Sequence, residues 1–366
     1  MRKVSALFVV TVLRRDWRFL AMTVVSCTVA ATVATFQFSV YNSFQRASAV
    51  VPQALAGDFW VKAGSVECFD FPTPFPEDYA GVLARYFPEA RMQRVVFGFA
   101  PWRSPLGKRG NVAVVGVEGF GIGPHGFIAN VSDLQRLGIG SGSAPTDATI
   151  GDTTLTLEGT VSNLSTYLGA PYVLADFETA RRLLRMDPTS TAFLVGRFGQ
   201  NPPADFARLA REASRRNPDV TVVSGADFAN SSIGYWQRKT GAGMAIGLAA
   251  VLALLLMAIL FANGVLRFIQ HYHTDLLSLL GHGATRRDIA GIVAGIAGVV
   301  AAITLASCVV ITPLIVFAFS PLLPWTAFSA FDLVAPLLGI LIALAAAMLS
   351  TRGALQAFAP DAVFRN

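Results

Sequence analysis

Charge is scarce in this chain: Asp, Glu, Lys and Arg make up 14% of its 366 residues, and four long blocks hold none of them. The blocks are Phe19 to Val40, Thr240 to Leu266, Ile289 to Ser320 and Leu333 to Ser350. A helix of about 17 to 25 apolar residues crosses a bilayer, so each block qualifies as a transmembrane span. Because ion-coupled carriers keep ionisable groups at mid-membrane, their absence from the block interiors argues against a proton- or sodium-driven carrier. No G-x-x-x-x-G-K-[ST] phosphate loop occurs, so energy from ATP would have to come from another chain. Cysteine is rare too: Cys27 and Cys308 fall in apolar blocks and Cys68 stands alone outside them, leaving no pair for a disulfide in the soluble segment. Between the first two blocks the only histidine is His125, so no Ser/His/Asp or Cys/His set is suggested and no catalytic role is expected.

What is present fixes an orientation. Arg2, Lys3, Arg14, Arg15 and Arg18 precede the first block, Arg267, Arg286 and Arg287 lie between the second and third, and Arg352 and Arg365 follow the fourth. By the positive-inside rule these segments, and both termini, are cytoplasmic. The net charge of +6 therefore reflects topology and lipid, not nucleic acid. Arg14, Arg15, Asp16 and Arg18 interrupt the N-terminal apolar run, which reads as an interfacial segment feeding an uncleaved first helix. The fold class expected is a membrane protein with four transmembrane α-helices and a large α+β extracytoplasmic domain between helices 1 and 2. Its expected parts are 1–40 (interfacial segment and first span), 41–238 (external domain with stalk), 239–267 (second span) and 268–288 (cytoplasmic coupling helix). A third span at 289–320, a short external loop at 321–332, a fourth span at 333–351 and a cytoplasmic tail at 352–366 complete it. The abundance of Ala and of Arg over Lys fits a bacterial inner membrane.

Along the external segment, Tyr41 to Ala56 reads as a helical stalk. Strands are predicted at Asp58 to Val61, Asn111 to Val117 (as a sheet edge), Thr153 to Leu157, Ala192 to Val195 and Val220 to Val223. Helices are predicted from Glu77 to Tyr86, after a Ser132 cap to Gly138, after an Asp176 cap through FETARRLL, and after Asp205, where Phe206, Leu209, Ala210 and Ala213 form one apolar face. Gly138 to Asp147 reads as a surface loop or a seam between two lobes. Gly121, Gly123 and Gly126 satisfy G-x-G-x-x-G, but Pro124 and His125 interrupt the turn, so a dinucleotide site is rejected. His271, His273 and His282 lack a carboxylate or thiol at ligand spacing, and Asp58, Glu67, Cys68 and Asp70 read as a solvated loop; no metal is expected. Ala290, Ala294, Gly298, Ala302 and Ala306 place a small residue at every fourth position of the third span, and Ala335, Gly339, Ala343 and Ala347 do so in the fourth. Such strips let backbones approach, and packing of the third span on the fourth is the reading adopted.

Between the second and third blocks lies DLLSLLGHGATRRDI, Asp275 to Ile289. Leu276, Leu279 and Leu280 share one helical face suited to lie on the bundle, Gly281 and Gly283 permit a sharp turn, and Arg286 and Arg287 stand just before the third span. The stretch resembles the signature of the FtsX/MacB-type (type VII) ABC transporter permeases, E-I-x-x-L-R-A-L-G-A-[ST]-R-R-x-I. Asp275 stands at the acidic position, Leu279 at the Leu, Gly283 to Arg287 at G-A-[ST]-R-R and Ile289 at the last Ile, whereas Leu280 replaces Arg and His282 replaces Leu. The tail Ala359 to Asn366 is similar to the family's ending, and Pro101 to Phe120 with Tyr235 to Thr240 look most like the DevC subgroup. The resemblance implies a non-catalytic permease subunit that sits as a homo- or heterodimer on a cytoplasmic ABC ATPase, with ATP and Mg held on that partner and no cofactor in this chain. Asp275, Leu276, Leu279, Leu280, His282, Gly283, Arg286 and Arg287 would couple to the ATPase, and Tyr235, Trp236 and Thr240 would transmit motion to the external domain. It further implies export of lipidic or other hydrophobic cargo with a periplasmic adaptor and an outer-membrane channel. The alternative is an FtsX-like relay that regulates an external hydrolase or sensor without moving cargo.

Overall fold

The computed structural model describes residues 11–12, 14–104, 106–140, 146–199 and 202–357. The expected interfacial start at 1–10, residues 141–145 of the Gly-Ser loop and the tail at 358–366 lie outside the described residues. In chain order the helices are α1 (Trp17–Ala47), α2 (Val50–Leu55), α3 (Tyr79–Ala84), α4 (Leu134–Leu137), α5 (Phe177–Leu183), α6 (Phe206–Arg216) and α7 (Gly225–Gly234). After a π-helical turn at Tyr235–Lys239 come α8 (Ala242–His271), α9 (His273–Gly281), α10 (Arg286–Phe319) and α11 (Val334–Ala357). The strands are β1 (Phe59–Ala63), β2 (Phe75–Pro76), β3 (Ala90–Arg103), β4 (Arg109–Val117), β5 (Gly126–Asn130), β6 (Asp147–Ile150), β7 (Thr153–Val161), β8 (Tyr172–Asp176), β9 (Ser190–Thr191), β10 (Phe193–Phe198) and β11 (Val220–Ser224). The chain forms two compact units: a soluble one built on residues 43–243 with 321–325, and an apolar helical one from the rest.

The soluble unit is organised by a mixed nine-stranded sheet of order β11-β1-β10-β3-β4-β8-β5-β7-β6, in which β4 pairs parallel with β8 and β5 with β7. Because β6 also pairs antiparallel with β3 (Trp102 with Ile150, Arg103 with Thr149), the strands β3-β4-β8-β5-β7-β6 close on themselves, and the unit holds two separate cores. Val95, Phe97, Val115 and Tyr172 line one core, while Val96, Trp102, Val114 and Val173, one residue out of step, line the other. The predicted edge strand β4 is interior, between β3 and β8: Val112 to Val117 are all buried because both sheet faces are covered. The long strand β3 was not anticipated, since Gly98 and Pro101 break its apolar pattern. Pro101 is tolerated near the strand's end, where a proline costs little pairing.

Helix boundaries follow their caps. The Asp176 carboxylate accepts from the Glu178 amide at 3.1 Å and starts α5. The Ser132 hydroxyl, expected to cap the next short helix, instead contacts Asn130 at 2.7 Å and Ser165 at 3.2 Å. Gly126 opens β5 rather than a helix, and Gly123 donates its amide to Glu158 at 3.1 Å, so the glycine triplet forms a turn closed by a carboxylate. A side chain at Gly126 would fall 2.1 Å from that carboxylate. An aromatic cluster of Trp60, Phe69, Phe193 and Phe228 packs on one face of β1 and β10 and a second, Phe59 with Phe87, Phe198 and Phe206, on the other, and each fully buried ring contributes roughly 1.5–3 kcal/mol.

Among the described residues of the apolar unit, α1, α8 and α10 are long and apolar enough to cross a membrane, and a shorter apolar stretch, Ala330–Ala346, covers the start of α11. Their outward faces carry Met22, Val25, Leu248, Leu255, Val310 and Leu314, an apolar surface that a bilayer would cover. Small residues set the close approaches: a side chain at Gly264 of α8 would meet Thr23 Cγ2 of α1 at 2.7 Å, and one at Gly339 of α11 would meet Met257 Cε of α8 at 2.3 Å. In α11, Ala335, Gly339 and Ala343 are buried, and at Gly339 the strip faces α8. The third-span strip is placed differently from its expectation: Ala290 and Ala294 are half-buried, while Gly298, Ala302 and Ala306 are exposed. The buried line of α10 is Ile289, Ile292, Val293, Ile296, Ala297 and Val300, because bulky apolar side chains bury more area than the small ones beside them. At the start of α11, the Asp332 carboxylate accepts from Ser39 (2.8 Å), Asn42 (2.7 Å) and the Ser329 amide (2.8 Å), tying α1 to the last helix.

Candidate functional site

The segment from α9 to the start of α10 is amphipathic in the manner its sequence predicts. Leu276 is buried, and Leu279 and Leu280 pack half-buried against the helical core that includes Phe268, Ile289 and Ile292. Leu280, a departure from the family signature, is thus an anchor on this side. On the other side Asp275, His282, Gly283, Arg286 and Arg287 are exposed. Asp275 sits in the first turn of α9, where a carboxylate suits the positive helix end. His282 Nδ1 lies 2.7 Å from the Ser278 carbonyl, which orients its ring just past the end of α9. Gly283 takes φ +90°, a conformation that disfavours side chains, and turns the chain into α10.

The new helix is started by a capping box. Asp288 donates its amide to Thr285 Oγ1 at 3.3 Å and accepts from the Thr285 amide at 2.9 Å. Behind this segment Tyr272 donates its hydroxyl to Asp16, and His271 stacks on Phe19 at 4.9 Å, so the N-terminal stretch braces the α8–α9 corner. Burial, and secondly the Asp16 bond, push the Tyr272 phenol up. Sequence reasoning missed Asp16 and Tyr272, whose pairing spans most of the chain.

The second constellation lies in the soluble unit, where the loop Glu67 to Phe71 runs along one face of α7 and the π turn. The Phe69 amide donates to Ser232 Oγ at 3.2 Å, Phe71 packs on Tyr235 (5.8 Å between ring centres) and on Trp236 (5.7 Å), and Lys239 pairs with Glu67 at 2.6 Å. At the centre the Asp70 carboxylate accepts from Trp236 Nε1 at 2.8 Å, from the Tyr167 hydroxyl at 3.2 Å and, more loosely, from Tyr172 at 3.5 Å. The gripped residues recur every three to four positions, as one helical face requires. Thr240 closes the turn, donating its hydroxyl to the Trp236 carbonyl at 2.8 Å and its amide to Tyr235 at 3.3 Å. Of the three residues expected to transmit motion, Trp236 is therefore the gripped one, Tyr235 is half-buried beside it, and Thr240 shapes the turn.

Asp70 and Cys68 correct the sequence reading of this loop as solvated: they are 4% and 1% exposed. The neighbouring Phe69, itself 1% exposed, was the one local signal that this stretch turns inward. Burial pushes the Asp70 carboxyl up to about 6, against the lowering effect of its Trp236, Tyr167 and Tyr172 bonds, and pushes the Cys68 thiol up to about 12. Tyr167, Tyr172 and Cys68 are neutral, and Glu67 is paired with Lys239, so Asp70 is the group of this cluster that titrates near neutrality.

An acid whose folded value lies above its unfolded value of 3.8 contributes stability that is fully present below about 4 and is lost as pH rises through about 6. The expected outcome is that the soluble unit gains roughly 1–2 kcal/mol of stability as pH falls from 7.5 to 5, seen as a rise in melting temperature, and that Asp70→Asn flattens this dependence. Thermal melts of the full chain across that range check it. A profile identical in the Asn variant contradicts it.

No family model matches the chain, and neither does any curated protein. Among solved structures the chain is similar to the periplasmic region of MacB from Actinobacillus actinomycetemcomitans, at TM-score 0.37 and 8% identity over 46% of this chain and 88% of that one. It is also similar to the extracellular domain of the noncanonic ABC-type transporter YknZ from Gram-positive bacteria, at TM-score 0.33 and 9% identity over 46% of this chain and 99% of that one.

Proposed function

We propose that the chain is the permease subunit of an ATP-driven type VII ABC transporter of the FtsX/MacB kind, multi-pass in a bacterial inner membrane with both termini cytoplasmic and α11 as the fourth span. The observation that carries this reading is the α9–α10 segment. Its leucines are spent on anchoring to the bundle, while Asp275, His282, Arg286 and Arg287 are left exposed on a rigid, capped corner. A loop that served only to fix topology would need the arginines but not a buried leucine face or a capping box. A soluble partner pushing on this corner moves α9 and, through Tyr272 and the buried leucines, the helices beside it.

From α8 the chain passes through Gly241 and Thr240 into the π turn, whose Trp236 is held by Asp70. Displacement of α8 along its axis therefore reaches the external domain through Tyr235–Lys239. ATP and Mg belong to the partner ATPase, and this chain supplies force transmission rather than chemistry. In the DevC-like form of this proposal, a second permease copy, a periplasmic adaptor and an outer-membrane channel complete an exporter of lipidic or other hydrophobic cargo. The test is purification of the tagged chain from its native membrane, followed by identification of bound proteins. Recovery of an ABC ATPase supports the reading, and its absence under conditions that preserve membrane complexes sinks it.

A further inference from the structure

The β3–β4 hairpin breaks a rule of strand pairing. Arg103 and Arg109 stand directly opposite each other in the antiparallel register, and like charges so placed repel. Among the described residues neither has a carboxylate within 4.0 Å. Beside Arg109 a cleft of about 260 Å³ opens, walled by Lys108, Arg109, Asn111 and Arg136 together with Gly110 and Gly169, and among the described residues no acidic side chain lines it.

Two of its cations are fixed in place. The guanidinium of Arg136 is bonded to the Asp133 carboxylate at 2.7 Å and to the Gly169 carbonyl at 2.6 Å. Asp133 is fully buried, and among the described residues its second oxygen has no hydrogen-bond partner. Lys108 bonds the Gln135 carbonyl at 2.8 Å, with its stem lying against Gly138, where a side chain would come within 2.9 Å. Holding an acid in the core to aim a surface arginine is costly, and so is facing two arginines across a hairpin. Both costs are offset when an anion enters the cleft.

We propose that this cleft binds a phosphate group. Lys108, Arg109 and Arg136 line it, Arg103 adds charge from across the hairpin, and among the described residues the one counter-charge, Asp133, lies behind Arg136. That excess suits a ligand with two negative charges better than a lone carboxylate, and arginines bind phosphate oxygens in pairs. A lipid headgroup and a soluble phosphate compound share this chemistry. The site does not depend on the transport reading.

The experiment uses the full chain in nanodiscs of zwitterionic lipid, titrated with inorganic pyrophosphate by calorimetry. Saturable binding in the micromolar to low millimolar range is expected, weakening about fivefold in Arg109→Gln and disappearing in Arg109→Glu. Arg109 is exposed and its replacement leaves Asp133 and Arg136 paired, so the variants keep their fold, which an unchanged melting temperature verifies. Competition by a short-chain phosphatidate assigns the site to a lipid headgroup, and competition by inorganic phosphate alone assigns it to a soluble ligand; either supports the proposal. No heat of binding up to 10 mM pyrophosphate, or equal binding by Arg109→Glu, overturns it.

Discussion

The Arg286→Glu, Arg287→Glu double variant is expected to insert into the membrane at normal levels and to lose its ATPase, with recovery in pull-downs falling at least about tenfold. Both arginines are exposed, and among the described residues neither has a carboxylate within 4.0 Å. They occupy the first turn of α10, where the helix dipole disfavours cations and favours acids. Glutamate there should strengthen the helix locally, so a loss of binding cannot be attributed to a loosened corner. The Thr285–Asp288 capping box remains in either case. The measurement is quantitative pull-down of the ATPase against a membrane-insertion control, and full recovery with the double variant would contradict the assignment of these residues.

Replacing Asp70 by leucine should disconnect the soluble unit while leaving the α9–α10 corner intact. The substitution strands Trp236 Nε1 and the Tyr167 hydroxyl without an acceptor, and each buried donor so abandoned costs about 1–3 kcal/mol. Because a π turn is a strained, locally convertible form of helix, that loss is expected to fall on Tyr235–Lys239. Amide exchange over 232–240 should accelerate at least about tenfold. ATP hydrolysis by the bound ATPase should persist, while nucleotide-driven displacement of the external domain, followed by distance labels, should vanish. Asn at the same position keeps an acceptor for Trp236 and should retain both. Unchanged exchange in the leucine variant would show that Asp70 is not what holds the turn.

Much of this was legible from the chain because the bilayer imposes a strong code. Uncharged runs declare α1, α8 and α10 by length alone, and the 3.6-residue spacing of Leu276, Leu279 and Leu280 announces which face of α9 is covered. The cap at Asp176 and the helix end at Gly138 were local and therefore readable, whereas the equally local Thr285–Asp288 box was overlooked. What stayed hidden depends on long-range pairing. β4 looks the same as an edge or an interior strand until β8, more than fifty residues later, is laid beside it.

Asp70 gives the clearest case. A carboxylate in a Pro-rich loop is ordinarily solvated; the adjacent Phe69 hints at burial, but the partners that make it possible, Tyr167, Tyr172 and Trp236, lie about a hundred residues or more away in the chain. The small-residue strip of α10 failed for the opposite reason. Its periodicity is real, but periodicity names a face without naming its neighbour, and within the described chain the bulkier Ile292–Ile296–Val300 face takes the core position.

The central claim is that the exposed corner after α9 is where an ATP-hydrolysing partner pushes. A photo-cross-linking residue placed at His282, exposed at the end of α9, reports on this most directly. In native membranes illuminated with and without ATP, a covalent adduct to an ABC ATPase whose yield changes with nucleotide is the predicted result. An adduct pattern that contains no ATPase, while the chain is present and inserted, would contradict the account.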